Sequence, residues 1–270
     1  MKRLVWILLI VVLIASGCGL SQEPGTQEKE VHVGVAFFPM KELLELVRED
    51  LKTDGFELKI SEFSDYQTPN SLLVSKELDA NMIQHDYFLQ SFNEANNMNL
   101  VTVLPIYHAT FALYAKDIDS VEDIPEGAVI TLPDDATNQS RALHLLGQAG
   151  LLTFQDDKSV GLTLGDIKEN PKQLQLDDQV PLTSLAQRYT ETGLAVMYPT
   201  YAKSLELTGD EQRIFTEELD AVTQKYAISL VSRSDNQDSE AIKSLMRHLK
   251  SDKVKQFLID EYGWASTPAN

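Results

Sequence analysis

The chain has 270 residues, 43% of them apolar, and carries 23 basic against 41 acidic side chains, a formal net charge of −18. That length and apolar content suffice for one large or two small domains with true cores. The acidic surface repels nucleic acid and gives anionic lipid no electrostatic attraction. Cys18 is the only cysteine, which excludes intramolecular disulfides and thiolate metal clusters and leaves stability to packing.

Lys2 and Arg3 precede an uncharged apolar run over residues 4–14, and Ala15-Ser16-Gly17-Cys18 then supplies the small residues at which a signal peptidase cuts. About eleven apolar residues fall short of the roughly 20 that span a bilayer, so residues 1–17 read as an export signal rather than a membrane helix. A small-residue run ending in cysteine resembles the lipobox of bacterial lipoproteins, whose cysteine is acylated and opens the mature chain. An ordinary secretory signal with a chance cysteine gives the same pattern. Removing residues 1–17 takes two of the 23 basic residues, leaving 21 against 41 acidic ones and a net charge of −20. Residues 18–30 follow as a polar tether with Pro24 and Gly25 and no periodicity. Fully extended, it reaches at most about 45 Å.

Beyond the tether, strand-like and helix-like segments alternate. Val31, Val33, Val35 and Phe37 alternate as a strand, and Leu43, Leu44, Val47 and Leu51 recur at helical spacing. Residues 56–63 alternate again, Asn70 is placed to cap a helix over 71–78, and 100–104 is a short apolar strand. Residues 110–115 form another strand, and Ser120 is placed to cap a short helix ending near Pro125. A strand over 128–132 leads into a helix over 138–149 that Gly150 closes. A helix over 182–189, strands over 194–197 and 226–231, and helices over 239–250 and 252–262 complete the chain.

This alternation argues for α/β lobes with mainly parallel sheets. No GxGxxG or GxxxxGK[ST] loop follows any strand, no HExxH or paired His/Cys pattern is present, and there is no GxSxG elbow. A Ser-His-Asp triad assembled in space remains open. An exported, acidic, two-lobed α/β chain without catalytic signatures, metal or cofactor motifs is most simply a solute-binding protein and not an enzyme.

Single residues carry two readings each. In Leu132-Pro133-Asp134-Asp135-Ala136-Thr137-Asn138-Gln139-Ser140-Arg141 a strand turns into a helix, leaving helix N–H groups at the strand's carboxyl edge, where open α/β sheets bind ligands. Arg141, one turn in, either grips a carboxylate with its planar fork or lies on a solvated helix face. Asn138 is the N-cap, a ligand contact, or both. His85 stands at a strand-to-helix junction as a cap or a cleft residue. Tyr66 is a ligand neighbour or a packed aromatic. Phe37 and Phe38 either wall a pocket or enter the core, and Asn81 either meets the ligand or only hydrogen-bonds its own turn.

Three stretches are more specific: FSDYQTPNSLLVSKELDANMIQHDYFL over 63–89, VITLPDDATNQSRALHLLGQAGLL over 129–152, and ENPKQLQL with GLAVMYPTYA between 165 and 202. They resemble the NlpA/MetQ family of methionine-binding lipoproteins, with its F-x-D-Y…D-A-N…Q-H, P-N-D-x-T-N-x-x-R, E-N-P-K and N-T-x-Y-A runs. The resemblance extends over nearly the whole chain. It implies a type II periplasmic-binding-protein-like fold, with one lobe from 31–108 plus 225–270 and the other from 109–224, crossing near residues 108–110 and 224–226. It further implies a monomer at the extracytoplasmic face of the cell membrane, held there by acylated Cys18, that closes around a small amino-acid-like ligand. Delivery would be to an ABC importer's permease with its ATPase. It places the ligand's carboxylate on Arg141, His85 on the cleft and Tyr66 near the ligand; Asn138, Tyr198, Asn81 and Phe37 complete the candidate ligand-binding residues.

Two positions depart from the pattern. Tyr198 stands where the family has Asn, with Pro199 after it, and Ile228 stands where a second ligand-binding Asn falls. Hydrogen bonds to charged groups are worth about 1.5–3 kcal/mol each, so losing both amides without replacement weakens a methionine site by orders of magnitude. Tyr198 can return one donor, and Ser229 another if the register shifts by one. Otherwise the specificity has moved to another amino acid, a short peptide or an apolar carboxylate. A surface lipoprotein without transport and an extracytoplasmic hydrolase are the competing readings.

Overall fold

Alternating valines start the first sheet. In this computed structural model, which describes residues 29–155 and 160–269, strand β1 (Lys29–Val35) buries Val31, Val33 and Val35. It begins two residues before the expected strand, so Lys29 and Glu30 belong to the sheet and not to the tether. Cys18, the 1–17 signal and residues 18–28 of the tether lie outside the described residues.

Helix α1 (Met40–Thr53) turns Leu43, Leu44, Val47 and Leu51 inward, and β2 (Phe56–Glu62) returns parallel to β1. After α2 (Thr68–Val74), the fully buried β3 (Ala80–Gln84) pairs parallel with the other side of β1. Gly34 sits at this junction, where an added Cβ would stand 2.7 Å from Leu78 Cδ1, so a side chain there would force the Leu78 side chain to shift. Helix α3 (Asp86–Asn96) and β4 (Leu100–Ala109) follow.

The chain then enters a second sheet. This part of the chain runs through β5 (Ala112–Ala115), β6 (Val129–Pro133), α4 (Ala136–Gln148), the small separate hairpin β7 (Thr153–Phe154) and β8 (Ile167–Glu169), β9 (Gln175–Val180), α5 (Leu185–Thr192), β10 (Leu194–Met197), α6 (Pro199–Ser204) and β11 (Arg213–Thr216). Gly150, at φ +71°, takes the left-handed conformation that ends the α4 segment. The return to the first sheet is made by β12 (Ile228–Arg233), followed by α7 (Glu240–Leu249), α8 (Asp252–Tyr262) and β13 (Ser266–Pro268).

The strand orders are β13-β4-β12-β3-β1-β2 and β11-β5-β10-β6-β9, with β7-β8 apart. The two-sheet α/β architecture agrees with the sequence reading, but the sheets are mixed rather than mainly parallel. Only β2-β1-β3 and β9-β6-β10 are parallel; β12 runs antiparallel to β3 and β4, and β5 antiparallel to β10 and β11. The reason is topological. β4 carries the chain out and β12 brings it back, so as neighbours they must point in opposite directions. Hydrophobic periodicity reports burial and is blind to strand direction.

Three local expectations are also corrected. Asn70 does not cap a helix: it lies inside α2, wholly buried, because its amide is taken by Gln84 and Asn81. The segment from Ser120 to Pro125 forms turns, with the Ser120 hydroxyl bonded to its own Asp123 in place of a helix. Asp135, not Asn138, caps α4, its Oδ1 accepting the Asn138 backbone N–H at 3.0 Å.

Candidate ligand-binding site

Where the two sheets face one another lies a cavity lined from both of them. Its first wall grows from the ends of β1, β2 and β3. Phe37 follows β1, with its ring 4.9 Å from that of Tyr66 beyond β2. Phe38 also lines the cavity and stacks outward on Trp264, under the Lys203 ammonium. Aromatic rings at such separations add packing energy beyond their area.

His85 ends β3 and does both things its position suggested. Its Nδ1 accepts the Phe88 N–H at 3.1 Å and so caps α3, while its ring faces the cavity. An accepting Nδ1 leaves the proton on Nε2, which lies 3.3 Å from Asn138 Oδ1 across the cleft. Burial, helped by the Arg141 charge, pushes its pKa down to about 3, so the imidazole is neutral. Asn81 does not reach the cavity. It belongs to a neutral amide cluster behind it, donating from Nδ2 to Asn70 Oδ1 at 2.8 Å, and Gln84 Nε2 donates to the same oxygen at 2.7 Å.

The second wall is built on α4 and the start of α6. Asn138 faces the cavity, and its Nδ2 donates to both Asp135 oxygens at 3.0 Å. The Tyr198 hydroxyl donates to Asn138 Oδ1 at 2.6 Å and accepts from Arg141 Nη1 at 2.9 Å. Arg141 itself does not line the cavity. It is 0% exposed, and its fork closes on Glu217 through Nε at 2.9 Å and through Nη2, which also donates to the Ala109 carbonyl at 3.1 Å. The rings of Phe111 and Tyr226 pack on the guanidinium at 4.7 and 4.8 Å. Burial opposes its charge, but Glu217 and Tyr198 outweigh burial and hold its pKa above the ordinary arginine value. Glu217 thus gives Arg141 a buried counter-charge.

A family comparison decides the lineage: the NlpA lipoprotein profile matches residues 31–270. The chain belongs to the NlpA lipoprotein family. Among NlpA relatives, it is 33% identical over 267 residues to a protein named methionine-binding lipoprotein MetQ of Bacillus subtilis, covering 98% of this chain and 97% of the relative. Lipoprotein Tp32 of Treponema pallidum superposes with a TM-score of 0.83 at 29% identity, covering 89% of this chain and 99% of the other. A nutrient-binding protein of Burkholderia cenocepacia, solved bound to methionine, superposes with a TM-score of 0.81 at 28% identity over 89% and 100% of the two chains.

Against this NlpA background, the two departing positions both reach the cavity. Ile228 puts an apolar side chain into it, and Ser229 turns away and donates to its neighbour, the Ala227 carbonyl. Sequence reasoning missed Glu217, Asp135 and Tyr201. Glu217 reads as one of two surface acids in Thr216-Glu217-Glu218 and meets Arg141 only through a contact 76 residues away. The Tyr201 hydroxyl stands 2.7 Å from that of Tyr66 and joins the two walls at the cavity edge. Asp135 had a signal: Asp is among the preferred residues at a helix start.

Proposed function

We propose that the mature chain is a lipid-anchored substrate-binding protein that holds a small amino-acid-like ligand between its two walls and delivers it to an ABC importer. The observation that carries this reading is the cavity itself, lined from both sheets and bridged by His85–Asn138 and Tyr66–Tyr201, in a chain whose family profile spans residues 31–270. A closed cleft joined by two crossings is the usual machinery of capture and release. The segments between Ala109 and Ala112 and between Thr216 and Ile228 serve as the hinge, dividing lobe 1 from lobe 2. Phe37, Tyr66, His85, Asn138 and Tyr198 are the ligand-facing side chains.

Acylation of Cys18 supplies the membrane attachment that the acidic surface does not. Two acyl chains are needed for stable anchoring, since each buried methylene adds only about 0.8 kcal/mol. The chain acts by binding, without catalysis.

Two measurements test the reading. Cys18→Ser moves the protein from the membrane fraction to the soluble one; retention in the membrane refutes the anchor. Native mass spectrometry of protein purified without refolding finds a small-molecule adduct, released on denaturation. A ligand-free protein that no amino acid, dipeptide or amino-acid amide stabilises against heat refutes the binding role, because a bound ligand raises stability by mass action.

A further inference from the structure

The binding site carries two features that recognise anions, and an internal carboxylate occupies each. The Arg141 fork holds Glu217, which is itself 7% exposed. The N-terminus of α4 holds Asp135, which takes the Asn138 N–H and both Asn138 Nδ2 bonds. Between the guanidinium and the cavity stands Tyr198, whose ring lies 5.2 Å from the guanidinium carbon and whose hydroxyl is bonded on both sides. A ligand carboxylate in the cavity therefore does not meet the fork, and at the helix end it meets Asp135 in possession of the Asn138 N–H.

The cavity surface agrees. Among the described residues, none of the side chains lining it is an aspartate, glutamate, lysine or arginine, and His85 is held as the neutral tautomer by its cap to Phe88. Ile228 and the aromatic rings supply apolar surface, while Thr200 and Tyr107 supply hydroxyls. An ion entering such a cavity loses its water without gaining an opposite charge, which is among the costliest transfers a protein makes. An amide or ester exchanges water for neutral hydrogen bonds at far smaller loss.

We infer that the cleft takes an uncharged amino-acid-derived ligand, with an apolar side chain and with both the α-amino and α-carboxyl groups masked, as in an interior residue of a short or cyclic peptide. The inference rests on the binding role proposed above and narrows its ligand class. It assigns Tyr198 as the residue that shuts Arg141 away from the ligand.

Calorimetry and thermal shift at pH 7 test it with methionine, leucine and phenylalanine, each as the free amino acid, the N-acetyl acid, the amino amide and the N-acetyl amide. The N-acetyl amides bind at least about tenfold more tightly than either acid form. A free amino acid or N-acetyl acid that binds as tightly as its N-acetyl amide overturns the inference while leaving the binding role intact. Failure of every compound to bind overturns the binding role and the inference with it. In Tyr198→Asn the N-acetyl acids gain at least about tenfold as Arg141 is uncovered. A folded variant without that gain overturns Tyr198 as the barrier, and the wild-type series stands alone if the variant does not fold.

Discussion

Two buried polar networks back the same cavity, and they are built on opposite plans. At the first wall, Asn70 and Asn81 behind it and Gln84 on it satisfy one another with neutral amides. Behind the second, Arg141 and Glu217 enclose a charge and its counter-charge, with Tyr198 between them and the cavity. Both leave the cavity surface neutral, one because its members carry no charge and the other because its charges are matched internally. A neutral network tolerates the loss of one member, since the others keep part of their bonding. An ionic network does not, since the survivor is a buried, unpaired ion.

That contrast sets the largest expected effect. Glu217→Ala leaves Arg141 unpaired and lowers the unfolding free energy by about 3–5 kcal/mol, whereas Asn81→Ala removes neutral bonds to Asn70 and Gln84 and lowers it by about 1–3 kcal/mol. Urea unfolding of both variants checks the pair. Equal losses would erase the distinction between the two networks.

The next effect concerns His85, which links the walls. The folded protein keeps it unprotonated down to about pH 3, while the unfolded chain takes up a proton near its ordinary pKa of 6.5. Its contribution is therefore complete above about pH 6.5 and drains away as the pH falls from there toward 3, by up to about 1.4 kcal/mol per pH unit. Between pH 6.5 and 5 wild type loses roughly 2 kcal/mol more than His85→Gln. Unfolding curves for the two proteins that stay parallel across this range would contradict it.

The smallest effect lies at the cavity edge. Tyr66→Phe removes the hydroxyl pair with Tyr201 and raises the ligand dissociation rate about threefold to tenfold, with little change in stability, because one neutral hydrogen bond is worth about 1 kcal/mol. Stopped-flow release of a bound ligand measures this. An unchanged rate would show that the pair does not hold the walls together.

The sequence carried the fold further than it carried the site. Val31, Val33 and Val35, or Leu43, Val47 and Leu51, announce their elements because burial repeats with the local period. Strand β9, with Gln175-Leu176-Asp177-Asp178-Gln179-Val180, stayed hidden because it is half exposed and polar. At the site, the family resemblance rather than any local period drew attention to His85, Tyr66 and Tyr198, which line the cavity. Neither could find the use to which Arg141 is put, because Glu217 arrives from a distant strand end and carries no periodic mark. Charge at a helix start is legible in a sequence; the identity of its partner is a property of the folded chain.

The placement of β12 has a consequence for how the protein is made. This strand lies between β3 and β4, yet the ribosome delivers it about 120 residues after β4. Until then the first sheet is split down its middle, with two unpaired edges facing the gap, while β5 to β11 form an uninterrupted stretch able to pair by itself. Synthesis order and assembly order thus run in opposite senses, and the second sheet is complete before the first. A chain with this design cannot lock its cleft until residues 228–233 are in place, and termination anywhere before Arg233 leaves open strand edges exposed to neighbouring chains.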